Sequence, residues 1–443
     1  MKPNARSVAW RVLGRVERDG AFADLALHGA LRDSDLPRRD RAFATELTYS
    51  TLRLRGRLDA ALVQCVSRPF EKLEPALQRL LRLGAYQIMG LHDVHPSVAV
   101  HESVELAKTV LPRAAGLTNA VLRKLSELDS AGGIRFPSLD EDPLAHLMQW
   151  GSLPEWLAQR WLDELGPAEA AELAEALLRR PPRTVRVSDG ADLEAVTNRL
   201  RGRRARYAPR GVSGLRSDPV REPGFARGEF SVQDEASQLV PLLLGIEPGE
   251  SVVDCCAAPG SKTAQLAEAV GPRGEVVAFE LHASRLSLIH RQLKRLGQDN
   301  VRVLQRDVRQ GFDLRGRTHY RRILVDAPCS GLGTLQRNPD ARWRLRPQDI
   351  EHSAELAGEL LRSAARYVEP GGVLVYSVCT STPEETDQVV ERFTRKAAEF
   401  SVDDPRPWLP PEAHEMVGPD SALRTWPHRH RCDGFFAVRL RRA

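Results

Sequence analysis

The stretch Val252-Val253-Asp254-Cys255-Cys256-Ala257-Ala258-Pro259-Gly260-Ser261-Lys262-Thr263 constrains this chain more than any other. A short apolar run ends in an acid, passes a Pro-Gly turn and gives way to helix-like Ala264-Gln265-Leu266-Ala267. Strand, tight loop and helix start, in that order, open an α/β unit. In an open sheet this first crossover is where a nucleotide-like ligand meets helix N–H groups. Further strands are expected at 275–280, 301–305, 322–326 and 372–377, and helices at 262–270, 283–296, 350–367 and 384–396. That alternation predicts a doubly wound, mostly parallel sheet. A last strand, 435–440, is expected at the antiparallel edge, entered by a hairpin-like return through Cys432-Asp433-Gly434.

Upstream the pattern changes. With 443 residues the chain has room for about three domains of roughly 150 each. Residues 1–140 read as all-helical. Val8, Val12, Leu13 and Val16 share a helical face, and Asp19-Gly20 ends that helix. Ser97 is expected to cap a later one. Residues 129–143 are rich in Asp, Gly, Ser and Pro and read as a linker. A small α/β module is expected over 145–228, with helices at 153–165, 167–178 and 192–200 and a strand at 183–187. The domain of the parallel sheet is expected over 229–443. Its first helix would start at Phe230, capped by Ser231, and run to about 244 with a kink at Pro241.

Charge and cysteines narrow the class. The net charge is +5, and 179–227 alone holds 13 Arg against 5 acids. Such a patch suits a phosphate backbone, or is a solvated surface. No apolar run is long enough to span a membrane, and the Met1-Lys2-Pro3 start has no export signal, so a cytoplasmic protein is expected. Six scattered cysteines argue against disulfides, and no metal site is expected from their spacing. Cys255 and Cys256 read as structural.

Three acids follow strands: Asp254, Glu280 and Asp307. Glu280, 20 residues past Gly260, is suited to two ribose hydroxyls and Asp307 to an adenine amino group. Both glycine-rich phosphate signatures are missing. A nucleoside with a small charged tail, S-adenosylmethionine, fits the loop better than a pyrophosphate. Asp326-Ala327-Pro328-Cys329-Ser330-Gly331 comes straight off the fourth strand, and Val375-Tyr376-Ser377-Val378-Cys379-Thr380 off the fifth. Adjacent strands should bring the two thiols together over the ligand. Two thiols, a carboxylate and a methyl donor suit carbon 5 of a pyrimidine, which becomes nucleophilic once a thiolate adds at carbon 6.

These three motifs resemble those of the RNA cytosine-5 methyltransferases, and Asn338-Pro339-Asp340-Ala341-Arg342-Trp343 and Pro427-His428-Arg429-His430 are similar too. The front, with Arg38-Arg39-Asp40-Arg41-Ala42-Phe43 and Thr118-Asn119-Ala120-Val121-Leu122-Arg123, resembles a NusB-like RNA-binding domain. The whole chain looks like the bacterial RsmB (Sun) type, which modifies 16S rRNA. The resemblance implies Cys379 as nucleophile, Cys329 as the group assisting release, and Asp326 at the cytosine and the cofactor edge. It implies a cofactor site of Cys256, Ala257, Ala258, Pro259, Gly260, Ser261, Lys262, Glu280, Asp307 and Asp326. Lys262 would neutralise Asp326, or be a plain helix-surface lysine. Ser261 stands where the family usually has a second Gly, and Glu280 where it often has Asp. Trp343 or Phe435 would hold the unstacked base, or belong to the core. The expected partner is 16S rRNA, free or in an early assembly intermediate, bound by a monomer. The alternatives are a non-catalytic RNA-binding assembly factor with a retained cofactor fold, and a methyltransferase of DNA or a small molecule.

Overall fold

The structure, a computed structural model, describes residues 3–313 and 318–443. Met1 and Lys2, at the start read as carrying no export signal, and positions 314–317 of the expected catalytic domain lie outside the described residues. The chain forms two compact units, residues 1–180 with 335–346, and residues 181–334 with 347–443.

The first unit is built from α1 (Ala5–Asp19), α2 (Ala23–Arg32), α3 (Arg38–Arg53), α4 (Arg55–Val63), α5 (Pro75–Met89), α6 (Pro96–Val110), α7 (Ala115–Ser130), α8 (Pro143–Gln149) and α9 (Glu155–Leu178). In α1, Asn4 accepts the Ser7 N–H at 2.9 Å while the Ser7 hydroxyl accepts the Asn4 N–H at 3.0 Å. Two donors that the helix leaves unpaired are thereby satisfied. Val8, Val12, Leu13 and Val16 are buried on one face, and Gly20 closes the helix at φ 62°, where a glycine carries no Cβ strain. The Ser97 cap is corrected: α6 starts at Pro96, and His95 is the cap, accepting the Ser97 N–H on Nδ1. The two helices expected at 153–165 and 167–178 form α9, interrupted by Gly166 at φ 75°.

Residues 335–346 pack into this unit although their sequence neighbours belong to the other. Trp343 donates its indole N–H to the Leu52 carbonyl at 2.7 Å. The Arg342 guanidinium is fully buried and donates to the carbonyls of Ser152 at 3.1 Å and of Leu177 and Leu335 at 3.4 Å. The compact units thus divide the expected 145–228 module, α8 and α9 falling in the first and its strands in the second.

The second unit opens with β1 (Thr184–Val187), α10 (Leu193–Arg199), β2 (Arg203–Arg204), β3 (Gly211–Ser213), α11 (Pro223–Ala226) and β4 (Phe230–Val232). These make a small antiparallel sheet, ordered β2-β3-β1-β4, over Val185, Val187, Val196, Val212 and Phe230. The helix expected from Phe230 is corrected. Phe230 and Ser231 pair with Val187 and Arg186, and Asp234, not Ser231, caps α12 (Glu235–Leu239). Residues 240–244 continue as a 3₁₀ turn through Pro241 rather than as a kinked α-helix.

The large sheet follows: β5 (Ser251–Asp254), α13 (Ser261–Val270), β6 (Glu275–Glu280), α14 (Ala283–Leu296), β7 (Val301–Gln305) and β8 (Tyr320–Asp326). After α15 (Ala341–Arg344), in the first unit, come α16 (Pro347–Ala365), β9 (Val368–Val378), α17 (Asp387–Lys396), β10 (Phe400–Asp403), β11 (Leu423–Thr425), α18 (Pro427–His430) and β12 (Phe435–Arg442). Strand order is β10-β12-β9-β8-β5-β6-β7, with β11 also on β12. Strands β5 to β9 run parallel. Alternate residues feed the two faces: Val253, Val277, Ile323 and Leu374 on one side, Val252, Val276, Leu324 and Val373 on the other. The expectation that β12 is the edge is corrected. It lies between β9 and β10, and its residues 435–440 are all buried, as an interior strand requires. No helix among the described residues is long and apolar enough to cross a membrane.

Candidate active site

The order of β5 between β6 and β8 creates a switch point, and the chemistry-bearing residues collect beyond its carboxyl end. Asp254 ends β5, Glu280 ends β6, Asp307 follows β7, Asp326 ends β8 and Cys379 follows β9.

Asp254 is almost fully buried. Its carboxylate accepts the Thr263 hydroxyl at 2.7 Å and the Cys256 N–H at 3.3 Å. Burial pushes its pKa up to about 6, with the Asp326 charge adding to the rise. Gly260 then turns the chain at φ 105°, a left-handed conformation a side chain resists, and α13 starts at Ser261 in helical conformation. The extra Cβ of Ser261 therefore brings no backbone strain. Gly260 supplies no side-chain cap, so the first N–H groups of α13 are open to a ligand. The Cys256 thiol is pushed well above its usual range by burial and by Asp254, Asp326, Glu280 and Asp307. Four carboxylates therefore bear on one loop. A cationic nucleoside with an amino-acid tail fits this arrangement: positive charge against the acids, its carboxylate against the helix start.

The outer acids are already engaged. Glu280 accepts the His282 N–H at 2.8 Å. Asp307 accepts the Arg309 N–H at 3.0 Å and pairs with its guanidinium at 2.8 Å, a contact that holds its carboxyl below the usual range.

The two thiols come together at the ends of adjacent strands. Sγ of Cys329 lies 3.4 Å from Sγ of Cys379. The Cys329 thiol is raised well above its usual range, first by its hydrogen bond to Cys379 and then by burial. Lys262 reaches Asp326 at 2.7 Å, and Ser377 donates to the same carboxylate at 2.7 Å. Burial opposes the charge on Lys262, but Asp326 outweighs it and the pKa is raised. Lys262 is thus no plain surface lysine. Its ammonium also stands 5.1 Å over the Phe435 ring. Trp343 belongs to the first unit, where its indole is committed to Leu52.

Several participants were not visible in the sequence. Glu385 is fully buried and takes three hydrogen bonds beneath the two cysteine loops. Gly333 donates its N–H to the Cys379 carbonyl at 3.0 Å and accepts the Gly434 N–H at 2.8 Å. The basic span is also less free than its count suggests. Arg186 pairs with Glu268, Arg206 with Glu415 and Arg227 with Glu229, all acids outside 179–227.

Residues 241–441 match the 16S rRNA methyltransferase RsmB/F family, and residues 3–127 the NusB family. The chain is 33% identical to the probable ribosomal RNA small subunit methyltransferase B of Synechocystis sp., covering 99% of this chain and 100% of that one. Identity to the Bacillus subtilis protein of the same description is also 33%, over 100% and 99%. Among solved structures, PH0851 superposes with a TM-score of 0.77 at 26% identity over 99% of both chains. A methyltransferase homolog from Pyrococcus horikoshii gives 0.57 at 28% identity, over 68% of this chain and 99% of that one. The fold and these matches together define an S-adenosylmethionine-dependent methyltransferase that acts on RNA. The chain belongs to the ribosomal RNA small subunit methyltransferase B (RsmB/Sun) family.

Proposed function

We propose that this protein methylates carbon 5 of a specific cytosine in 16S rRNA through a covalent bond from Cys379 to carbon 6. The observation that carries the reading is the thiol pair at 3.4 Å beside the Lys262–Asp326 ion pair. Cys379 loses its thiol proton to solvent and bonds through Sγ to carbon 6, and the electron pair of the ring double bond shifts so that carbon 5 becomes enamine-like. Asp326 stands at the cytosine and holds the Lys262 ammonium, whose positive charge offsets the negative charge developing on the ring nitrogen between carbons 2 and 4. S-adenosylmethionine supplies the methyl group. The residues suited to it are those from Cys256 to Lys262, with Glu280 toward the ribose, Asp307 toward the adenine and Asp326 at the reacting edge.

Release then requires loss of the carbon 5 proton. In the free enzyme Cys329 is kept protonated, first by Cys379 and then by burial. Once Cys379 is a thioether, the first of those causes is gone. Cys329 gives its proton to solvent and takes the one on carbon 5; the ring double bond re-forms and Cys379 leaves as thiolate. The first unit and the arginines of the small sheet hold the backbone of free or early-assembly rRNA, with the target base unstacked, and the protein works as a monomer.

Unmodified small-subunit rRNA with labelled S-adenosylmethionine tests this. The expected product is 5-methylcytosine, absent with Cys379→Ala, while Cys329→Ala accumulates a covalent protein–RNA adduct. Normal methylation by Cys379→Ala overturns the assignment.

A further inference from the structure

We infer that Glu385 is a positioning residue that clamps the two cysteine loops together and so sets the reach of Cys329 for the release step. The inference about release rests on the reading above; the inference about spacing does not. Glu385 Oε1 accepts the Ser330 N–H at 2.6 Å, and Oε2 accepts the hydroxyls of Ser330 and Thr382, each at 2.6 Å. Ser330 Oγ is also 3.0 Å from Thr380 Oγ1. Ser330 directly follows Cys329, and Thr380 directly follows Cys379. One carboxylate therefore holds the neighbour of Cys329 directly, the neighbour of Cys379 through the Ser330 hydroxyl, and Thr382 on the same loop. Its own backbone is tied to β9, where the Tyr376 hydroxyl donates to the Glu385 carbonyl at 2.6 Å.

The chemistry of the site explains why a carboxylate stands there. Ser330 and Thr382 present three donors in a buried pocket, and the two oxygens of a carboxylate accept all three. The side chain is fully enclosed and, among the described residues, is held by hydrogen bonds rather than by an ion pair. Cys379 sits at the end of a central strand and keeps its place without the clamp. Cys329 sits on a loop, so loosening the clamp moves Cys329 relative to Cys379. Addition to carbon 6 is spared, and removal of the carbon 5 proton is not.

The test uses the full chain with Glu385→Gln, which keeps the size but replaces one acceptor by a donor. Thiol spacing is read without catalysis by diamide oxidation: two thiols give up two electrons and two protons to the azo bond, and the Cys329–Cys379 disulfide is quantified by peptide mass spectrometry. The disulfide is expected to form at least 5-fold more slowly in Glu385→Gln than in the wild type. Multiple-turnover methylation is expected to fall at least 10-fold while single-turnover methyl transfer stays within 2-fold, and methylated covalent adduct accumulates as in Cys329→Ala. An unchanged oxidation rate overturns the clamp whatever the chemistry. Equal losses in transfer and release overturn its role in release. Slower oxidation with no adduct in any variant, Cys329→Ala included, upholds the spacing and sinks the covalent reading instead. Should Glu385→Gln not fold, Thr382→Val removes one of the three bonds; slower oxidation there supports the clamp and a wild-type rate overturns it.

Discussion

Replacing Asp254 by Asn isolates one buried charge under the cofactor loop. Burial holds the Asp254 carboxyl at about 6, against about 3.9 for an ordinary aspartate. The folded protein therefore binds this proton more tightly than the unfolded chain does. Its contribution to stability is complete below about pH 4, declines as the pH rises, and is gone above about pH 6. A difference of about two pH units, at about 1.36 kcal/mol each, is worth about 3 kcal/mol. Asparagine imitates the protonated acid and keeps every partner satisfied. Its oxygen accepts the Cys256 N–H, its amide donates to Thr263 Oγ1, and the Thr263 proton turns to the Ala257 carbonyl, 3.3 Å away. Carboxyls held low elsewhere, such as Asp307 and Asp420, work in the opposite sense but are common to both proteins and cancel. Urea unfolding at pH 4, 5, 6 and 7, followed by hydrogen exchange in peptides from 251–280, measures the difference. The variant is expected to gain about 2 kcal/mol on the wild type between pH 4 and pH 7, where the unfolded aspartate is already half ionised at the lower limit. A difference that does not change with pH refutes the argument that the ionised carboxylate is held there at a cost.

Two further substitutions probe backbone packing. Gly333→Ala drives a Cβ into the Gly434 carbonyl and separates the Gly333 N–H from Cys379; a loss of about 1–3 kcal/mol in thermal stability is expected, with a sharp drop in methylation. Arg342→Ala strips the donor from three buried carbonyls in the first unit and is expected to cost about 3 kcal/mol or more, read as faster tryptic cleavage after Arg337 and Arg344.

The parallel sheet was legible because its signals are local. Short apolar runs, Val252-Val253, Val276 to Phe279 and Ile323 to Val325, each ending in an acid, specify both the strands and the end of the sheet where the acids gather. Cys329 and Cys379 could be paired from the sequence because adjacent strands deliver them. Glu385 could not, because its meaning depends on Ser330, 55 residues earlier. Ser231 misled because a serine ahead of Asp234 and Glu235 is a good helix cap in isolation, whereas pairing with β1 makes it a strand residue. The place of β12 depends on β10, whose run at 400–403 is too short and polar to announce itself. Membership of 335–346 in the first unit is a matter of which core has room for Arg342 and Trp343, and no periodicity encodes that.

That last segment imposes an order on biosynthesis. Helices α1 to α9 leave the ribosome first, yet the Leu52 carbonyl has no indole donor, and Ser152 and Leu177 no guanidinium, until residues 335–346 follow. By then β5 to β8 have already emerged. The earliest-made unit is finished late, by residues 335–346, which lie within the sequence of the second unit. A fragment ending at Arg180 keeps the whole NusB match and still lacks part of its own interior, so the two halves of the gene are separable as sequence families but not as folding units.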